Sequence, residues 1–380
     1  MDFSFNQEQT LLRESVKKFV EKSYPFEARN ALMKSDLGFS KENWKSFAEL
    51  GWTAIPFSEA DGGLGGKAVD AMIVLEELGK GLVLEPYWAT VIFAGGFLRR
   101  ADAALKAKYL TPLINGELLA AVAYAEQDSR FDLFHVGTTA KKDGAGYVLD
   151  GKKIAVIAGH AADVLVVSAR TSGNARDKKG ITLFAVDAKS AGVTRNAYRT
   201  VDGLRGCDVT LSGVKVGADA IIGKLDEGLS LLDTVSDEAI IALGAESMGI
   251  MDVMYKTTVA YTKERKQFGV PIGSFQVLQH RMVDQFMEAE QARSMVYFAT
   301  MTLDKVGGGN AAVARAASAL KVQLGKSGRQ VGQAAIQNHG GMGMTDELPI
   351  SHYFKRMTMI DLMLGNGDHH LERFRVLSAE

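Results

Sequence analysis

The chain has 380 residues, 47% of them hydrophobic, with 44 basic and 45 acidic side chains and a formal net charge of −1. That length carries two or three domains with sizeable cores, and the even charge balance excludes a global field for nucleic acid or an anionic membrane. The one cysteine, Cys207, excludes an internal disulfide and fits a reducing cytoplasm. No window holds 18 uninterrupted apolar residues, so no membrane span is expected, and the opening MDFSFNQEQTLLRESVKKF has no apolar segment of the signal-peptide kind.

Residues 1–115 read as helices. Gln9 to Val20 places Leu11, Leu12, Val16, Phe19 and Val20 at helical spacing, Asn43 to Leu50 is a short helix closed by Gly51, Ala68 to Leu78 reads as a core helix, and Ala103 to Leu113 ends the block. The composition shifts over 116–226. Leu118 to Tyr124, Val136 to Ala140, Tyr147 to Leu149, Val164 to Ala169 and Ile181 to Val186 fit short strands. Asp143-Gly144, Asp150-Gly151, Ser172-Gly173 and Ser212-Gly213 mark turns between them, so a small barrel or sandwich is expected. Long helices resume over 227–380, at Leu229 to Arg265, Ser274 to Val306, Asn310 to Asn338 and Pro349 to Leu364, enough for a four-helix bundle. The expected class is α+β, with helical, β and helical parts in that order.

Two stretches carry chemistry. In Tyr261 to Met282, the cationic run Lys263-Glu264-Arg265-Lys266 meets Gln267 and Phe268, and Gly269 and Pro271 then stop the helix. An Arg that forks onto phosphate, an amide and an aromatic ring share this elbow, although an ordinary helix hairpin with a solvated charge run has the same composition. In Ile336 to Pro349, Gly340, Gly341 and Gly343 form a turn whose backbone N–H groups approach an anion closely.

Together RKQFG…IGSFQ and Q..GG.G…E.P resemble the acyl-CoA dehydrogenase family, flavoproteins that desaturate acyl thioesters. Ile55-Pro56 with Glu59 to Gly65, Gly151-Lys152-Lys153, and Leu211 to Val216 extend the resemblance along the chain. It implies an N-terminal helical domain, a middle β-barrel or sandwich and a C-terminal bundle. It also implies FAD, an acyl-CoA substrate and an electron-transfer flavoprotein as acceptor. The assembly would be a homodimer or tetramer, or an α2β2 heterotetramer with a sister chain. Carried over, Arg265, Gln267 and Phe268 would line the pyrophosphate and adenine side of FAD, and Ile272, Phe275 and Gln276 match the cofactor-binding positions that follow. Gln337, Gly340 and Gly341 would form the adenosine-side loop from a neighbouring subunit.

Elsewhere the chain departs from the family. Ala125 stands where a Thr touches the flavin ring, and Ala155 and Ile157 replace the Trp and Thr of the strand under it. The reaction needs a base for the α-proton and donors on the thioester carbonyl. Of the family's two base positions, one falls on Leu364, before Gly365, and the other on Ala239, with Ile240 next to it. Glu246, the only charge in AIIALGAESMGIM, lies on the helical face of Ala239, roughly 10 Å further along, and is the candidate catalytic base. A Glu ion-paired to a neighbouring Lys or Arg is the competing expectation. Asp237, Glu238 and Asp368 are lesser candidates. Asp368-His369-His370 points to different helix faces, so no metal is expected. Two functions therefore stand: an active dehydrogenase with a shifted base, or a non-catalytic partner that completes the FAD site of a sister acyl-CoA dehydrogenase chain.

Overall fold

The computed structural model describes residues 4–379. Helix α1 (Gln7–Ser23) starts at a reciprocal cap: Gln9 N–H donates to Asn6 Oδ1 at 2.8 Å and Asn6 N–H to Gln9 Oε1 at 3.1 Å. Helices α2 (Phe26–Lys34), α3 (Lys41–Glu49) and α4 (Ala68–Lys80) follow. A π-helical stretch, Trp88–Ala94, runs into α5 (Gly95–Leu98), and α6 (Ala103–Leu105), a second π stretch and α7 (Thr111–Ile114) close the block.

Eight strands come next: β1 (Ala120–Ala123), β2 (Thr139–Asp143), β3 (Gly146–Lys153), β4 (Val164–Arg170), β5 (Ile181–Asp187), β6 (Val193–Arg199), β7 (Arg205–Gly217) and β8 (Ile221–Ile222). They form one sheet in the order β6-β7-β3-β2-β4-β5-β8, with β1 added parallel to β4. The sheet has its own core, built on Leu149, Leu165, Val167, Phe184, Val209 and Val214. The opposite faces of β1 and β4, through Val122, Val164 and Val166, join the larger core that most of the helices share.

The last part is helical: α8 (Gly228–Glu264), α9 (Gln276–Val306), α10 (Ala311–His339), α11 (Pro349–Leu362) and α12 (Gly367–Ala379), with a hairpin of β9 (Lys266–Gln267) and β10 (Val270–Pro271) between α8 and α9. Helix α8 crosses α4 with no side chain between the backbones. A Cβ on Gly249 would lie 2.0 Å from Glu76 O, and one on Gly79 would lie 2.3 Å from Glu246 O. This contact fixes Glu246 against the N-terminal helices. No helix among the described residues is long and apolar enough to cross a membrane.

Several elements differ from the expectation. Strand β6 reads VTRNAYR and is mostly exposed, so it shows no alternation to detect. Helices α2 and α12 are short and polar, with few buried positions. The stretch Trp88–Leu98 is apolar all round and buried, which hides the helical period. Strand β2 begins three residues after the expected start at Val136, and β3 runs on to Lys153.

Candidate active site

The elbow after α8 is a two-residue hairpin turn with Phe268 at φ 55° and Gly269 at φ 81°. Both values are positive, the geometry that hairpin turns of this length require. A non-glycine residue there is strained, and Phe268 is also 91% exposed. Arg265 ends α8 in an extended conformation, and its side chain has no ion pair among the described residues. Ile272 N–H donates to Arg265 O at 2.8 Å, and Phe268 and Phe275 meet edge to face at 6.2 Å. Gln267 and Gln276 are exposed alongside. Gln337, Gly340 and Gly341 are exposed at the end of α10, where Gly340 has φ 59° and an added Cβ at either glycine would meet nothing within 4 Å. Tyr261 stacks on His339 at 4.3 Å, so the two loops already share one end of the bundle within a single chain.

The second part is a cleft of about 300 Å³ between the sheet and α11, lined by Tyr124, Ala125, Gln127, Ala155, Ile157 and Met363 among others. Ile154 N–H donates to Ala125 O at 2.9 Å and ties its two wall segments together. Ala155 on this lining and Ala158 on the adjoining cavity have φ values of 52° and 61°, the left-handed turn region. Among the described residues, Glu126 is the one carboxylate on the lining. It accepts from Gly137 N–H at 2.7 Å, Thr138 N–H at 3.0 Å and Lys153 Nζ at 2.7 Å. Burial alone would push it up, but Lys153 and these donors hold it below the usual carboxylate range. Lys153, fully enclosed, is lowered to about 8 by burial.

At the two positions where the resemblance expects a base, Leu364 and Ala239, the side chain is not ionisable. Leu364 is 7% exposed and has φ 57°. The buried Lys321 Nζ donates to the carbonyls of Ile360 at 2.5 Å, Asp361 at 3.0 Å and Met363 at 2.8 Å. His370 Nε2–H donates to Leu364 O at 2.9 Å, and burial lowers this ring to about 3, so it stays neutral. Burial pushes the Tyr124 phenol up to about 12, against a hydrogen bond from the Leu364 backbone that pulls it down. At the other position, Ala239 O accepts Trp88 Nε1–H at 2.9 Å, and Trp88 stacks on Phe93 at 5.2 Å.

Glu246 is not an isolated carboxylate. Arg356 Nε and Nη2 donate to its two oxygens at 2.6 and 2.8 Å, while Arg356 Nη1 holds Asp202 at 2.8 Å. Each oxygen of the expected base therefore accepts from one guanidinium, the ion-paired arrangement that was the competing expectation. Glu246 and Arg356 line a separate cavity of about 50 Å³, which shares Trp88, Ala89 and Ile157 with the ring cleft. Two of the three lesser candidates are also ion-paired. Asp237 is forked by Arg373 at 2.5 and 3.0 Å, and Glu238 holds Arg99 at 2.5 Å and also Arg100. Asp368 is exposed in the first turn of α12. No cluster of three metal-ligating side chains occurs among the described residues. Arg356, Trp88 and Lys321 escaped the sequence reading because each acts through a partner more than 30 positions away.

These parts fit a dinucleotide flavin. An Arg without an ion pair among the described residues and an exposed aromatic stand at the elbow, open glycines at the α10 end, and a mostly apolar cleft beside the sheet. Acyl-CoA dehydrogenase N-terminal, middle and C-terminal family models match residues 6–117, 121–214 and 226–375. A probable acyl-CoA dehydrogenase, YngJ of Bacillus subtilis, is 29% identical over 379 residues, covering 98% of each chain. The ChsE4–ChsE5 complex from Mycobacterium tuberculosis matches with TM-score 0.89 at 25% identity, over 100% of this chain and 99% of that one. PigA with FAD and proline matches with TM-score 0.90 at 27% identity, over 100% and 99%. With three consecutive domain models accounting for nearly its whole length, the chain belongs to the acyl-CoA dehydrogenase family, oxidoreductases that act on CH–CH bonds with FAD as cofactor.

Proposed function

We propose that this chain serves the FAD-dependent α,β-dehydrogenation of an acyl-CoA thioester as the base-lacking subunit of a heteromeric enzyme. In this reading it completes the FAD site of a sister chain. One observation carries the reading: Leu364 and Ala239 hold the two base positions, and the nearest substitute, Glu246, is forked by Arg356. The cleft itself offers no free carboxylate, since Glu126 is held by Lys153 and two amides. The Tyr124 phenol keeps its proton near neutrality and is no substitute.

FAD, when bound, supplies the hydride acceptor of the reaction. The α-proton then requires a carboxylate from the sister chain. This chain's elbow residues, Arg265, Gln267 and Phe268, are exposed and available to the sister's cofactor, with Arg265 as the phosphate partner. The heteromeric ChsE4–ChsE5 neighbour supports an assembly of two unlike chains. An electron-transfer flavoprotein is the proposed acceptor.

The test is turnover. The chain purified alone, offered acyl-CoA thioesters and an electron-transfer flavoprotein, should show none, and adding the sister chain should restore it. A homomer that turns over by itself would overturn the proposal.

A further inference from the structure

The ring cleft holds one polar group that neither the fold nor the proposed function uses. Tyr124 lines this cavity of about 300 Å³ in company with Trp88, Phe93, Ile157, Met359 and Met363. Its ring meets Phe93 edge to face at 5.8 Å, which fixes the plane of the phenol. The side chain is only partly buried and its oxygen is reachable from the cleft. Its O–H donates to no acceptor among the described residues. The neighbouring Glu126 is already spent on Lys153, Gly137 and Thr138, while Gln127 and Arg130 stand exposed at the edge of the cleft.

The backbone beside the phenol makes that O–H a stronger donor. Lys321 takes the carbonyls of Ile360, Asp361 and Met363, and His370 takes that of Leu364. With these carbonyls tied back and φ 57° at Leu364, the segment sets the Leu364 N–H against the Tyr124 oxygen. A hydroxyl that accepts from an N–H donates more strongly through its own proton. On an apolar wall such a donor is costly until an acceptor meets it. A flavin ring is poorly served here, because Ala125, Ala155 and Ile157 stand where the resemblance expects two threonines and a tryptophan around it. With the flavin ring seated in the sister chain, the reading on which this site rests, the acceptor is another molecule.

We propose that this cleft binds an apolar carbonyl compound, with its hydrocarbon body between the sheet and α11 and its carbonyl oxygen on the Tyr124 O–H. Tyr124 is then the residue that tells a carbonyl ligand from a hydrocarbon of the same shape. The cleft offers no free carboxylate among the described residues, so the ligand is held and not oxidised.

The probe is 2-acetonaphthone, set against 2-isopropenylnaphthalene, in which a methylene replaces the carbonyl oxygen. Each is titrated into the purified full chain. The ketone should bind saturably at one per chain. Tyr124→Phe, which removes only the phenol oxygen, should weaken the ketone by ~3- to 10-fold and leave the hydrocarbon unchanged. Ala125→Leu, which fills the cleft from its sheet wall, should abolish binding of both, and saturating FAD should leave the ketone's affinity unchanged. No turnover is measured, so the titration succeeds or fails separately from the heteromer test above. The proposal is overturned by any of four results: no saturable binding of the ketone, the same effect of Tyr124→Phe on both probes, ketone affinity untouched in Ala125→Leu, or displacement of the ketone by FAD. The last result would put the flavin ring in this cleft.

Discussion

At the scale of single residues, Glu246 decides between the two readings of the family resemblance. Its partner Arg356 is buried and is driven further toward the charged form by Glu246 and Asp202, against the opposing effect of burial. Glu246→Gln keeps the shape and removes one of two anions from a buried guanidinium. The expected outcome is a loss of stability on the order of 3–5 kcal/mol, read as a lowered denaturation midpoint, with turnover of the full assembly intact. If Glu246 were the base, the same loss of stability would come with a ~100- to 10,000-fold fall in rate. The sequence made Glu246 visible as a lone charge in an apolar run, but Arg356 lies 110 positions away in HYFKRM, where nothing marks it as buried. The expectation that Leu364 and Ala239 stand at the base positions rests on their distance from glycines in the resembled motifs. Trp88, which ties off the Ala239 carbonyl, was hidden in a run that is apolar all round.

At the scale of elements, the segment from α11 to Leu364 is held by a buried lysine rather than by a carboxylate. Lys321 gives its ammonium to three carbonyls at the end of α11, and burial lowers it from 10.5 to about 7. The folded form therefore releases a proton that the unfolded chain keeps between those two pH values. The associated stability is complete above the unfolded value and is lost as pH falls toward 7. Each such lysine adds at most ~1.4 kcal/mol per pH unit over that window, and Lys153, lowered to about 8, acts in the same direction. Denaturation midpoints of the wild type should rise more steeply between pH 7.5 and 9.5 than those of Lys321→Met. Parallel slopes would remove Lys321 from this role. Most long helices and the inner strands showed in the sequence because their periods are strong. Strand β6 and helices α2 and α12 did not, because each lies at the surface with little apolar surface to reveal its period.

At the scale of the molecule, exposed apolar side chains gather on the elbow and α9: Phe268, Val277, Val283, Phe286, Met287 and Phe298. Exposed apolar patches of that kind mark interaction surfaces in general. If the elbow completes a FAD site, Arg265→Ala should lower flavin affinity by ~10- to 100-fold, measured as bound flavin per chain, since a phosphate loses a charge-assisted bond. Equal occupancy and affinity would take Arg265 out of the site. The most direct test of the account is native mass spectrometry of the tagged chain isolated from its own host. The account predicts two copies of this chain with two copies of a second acyl-CoA dehydrogenase family chain that carries a Glu at a base position. It also predicts one FAD per pair of unlike chains. A homo-oligomer of this chain with one FAD on every copy would contradict it.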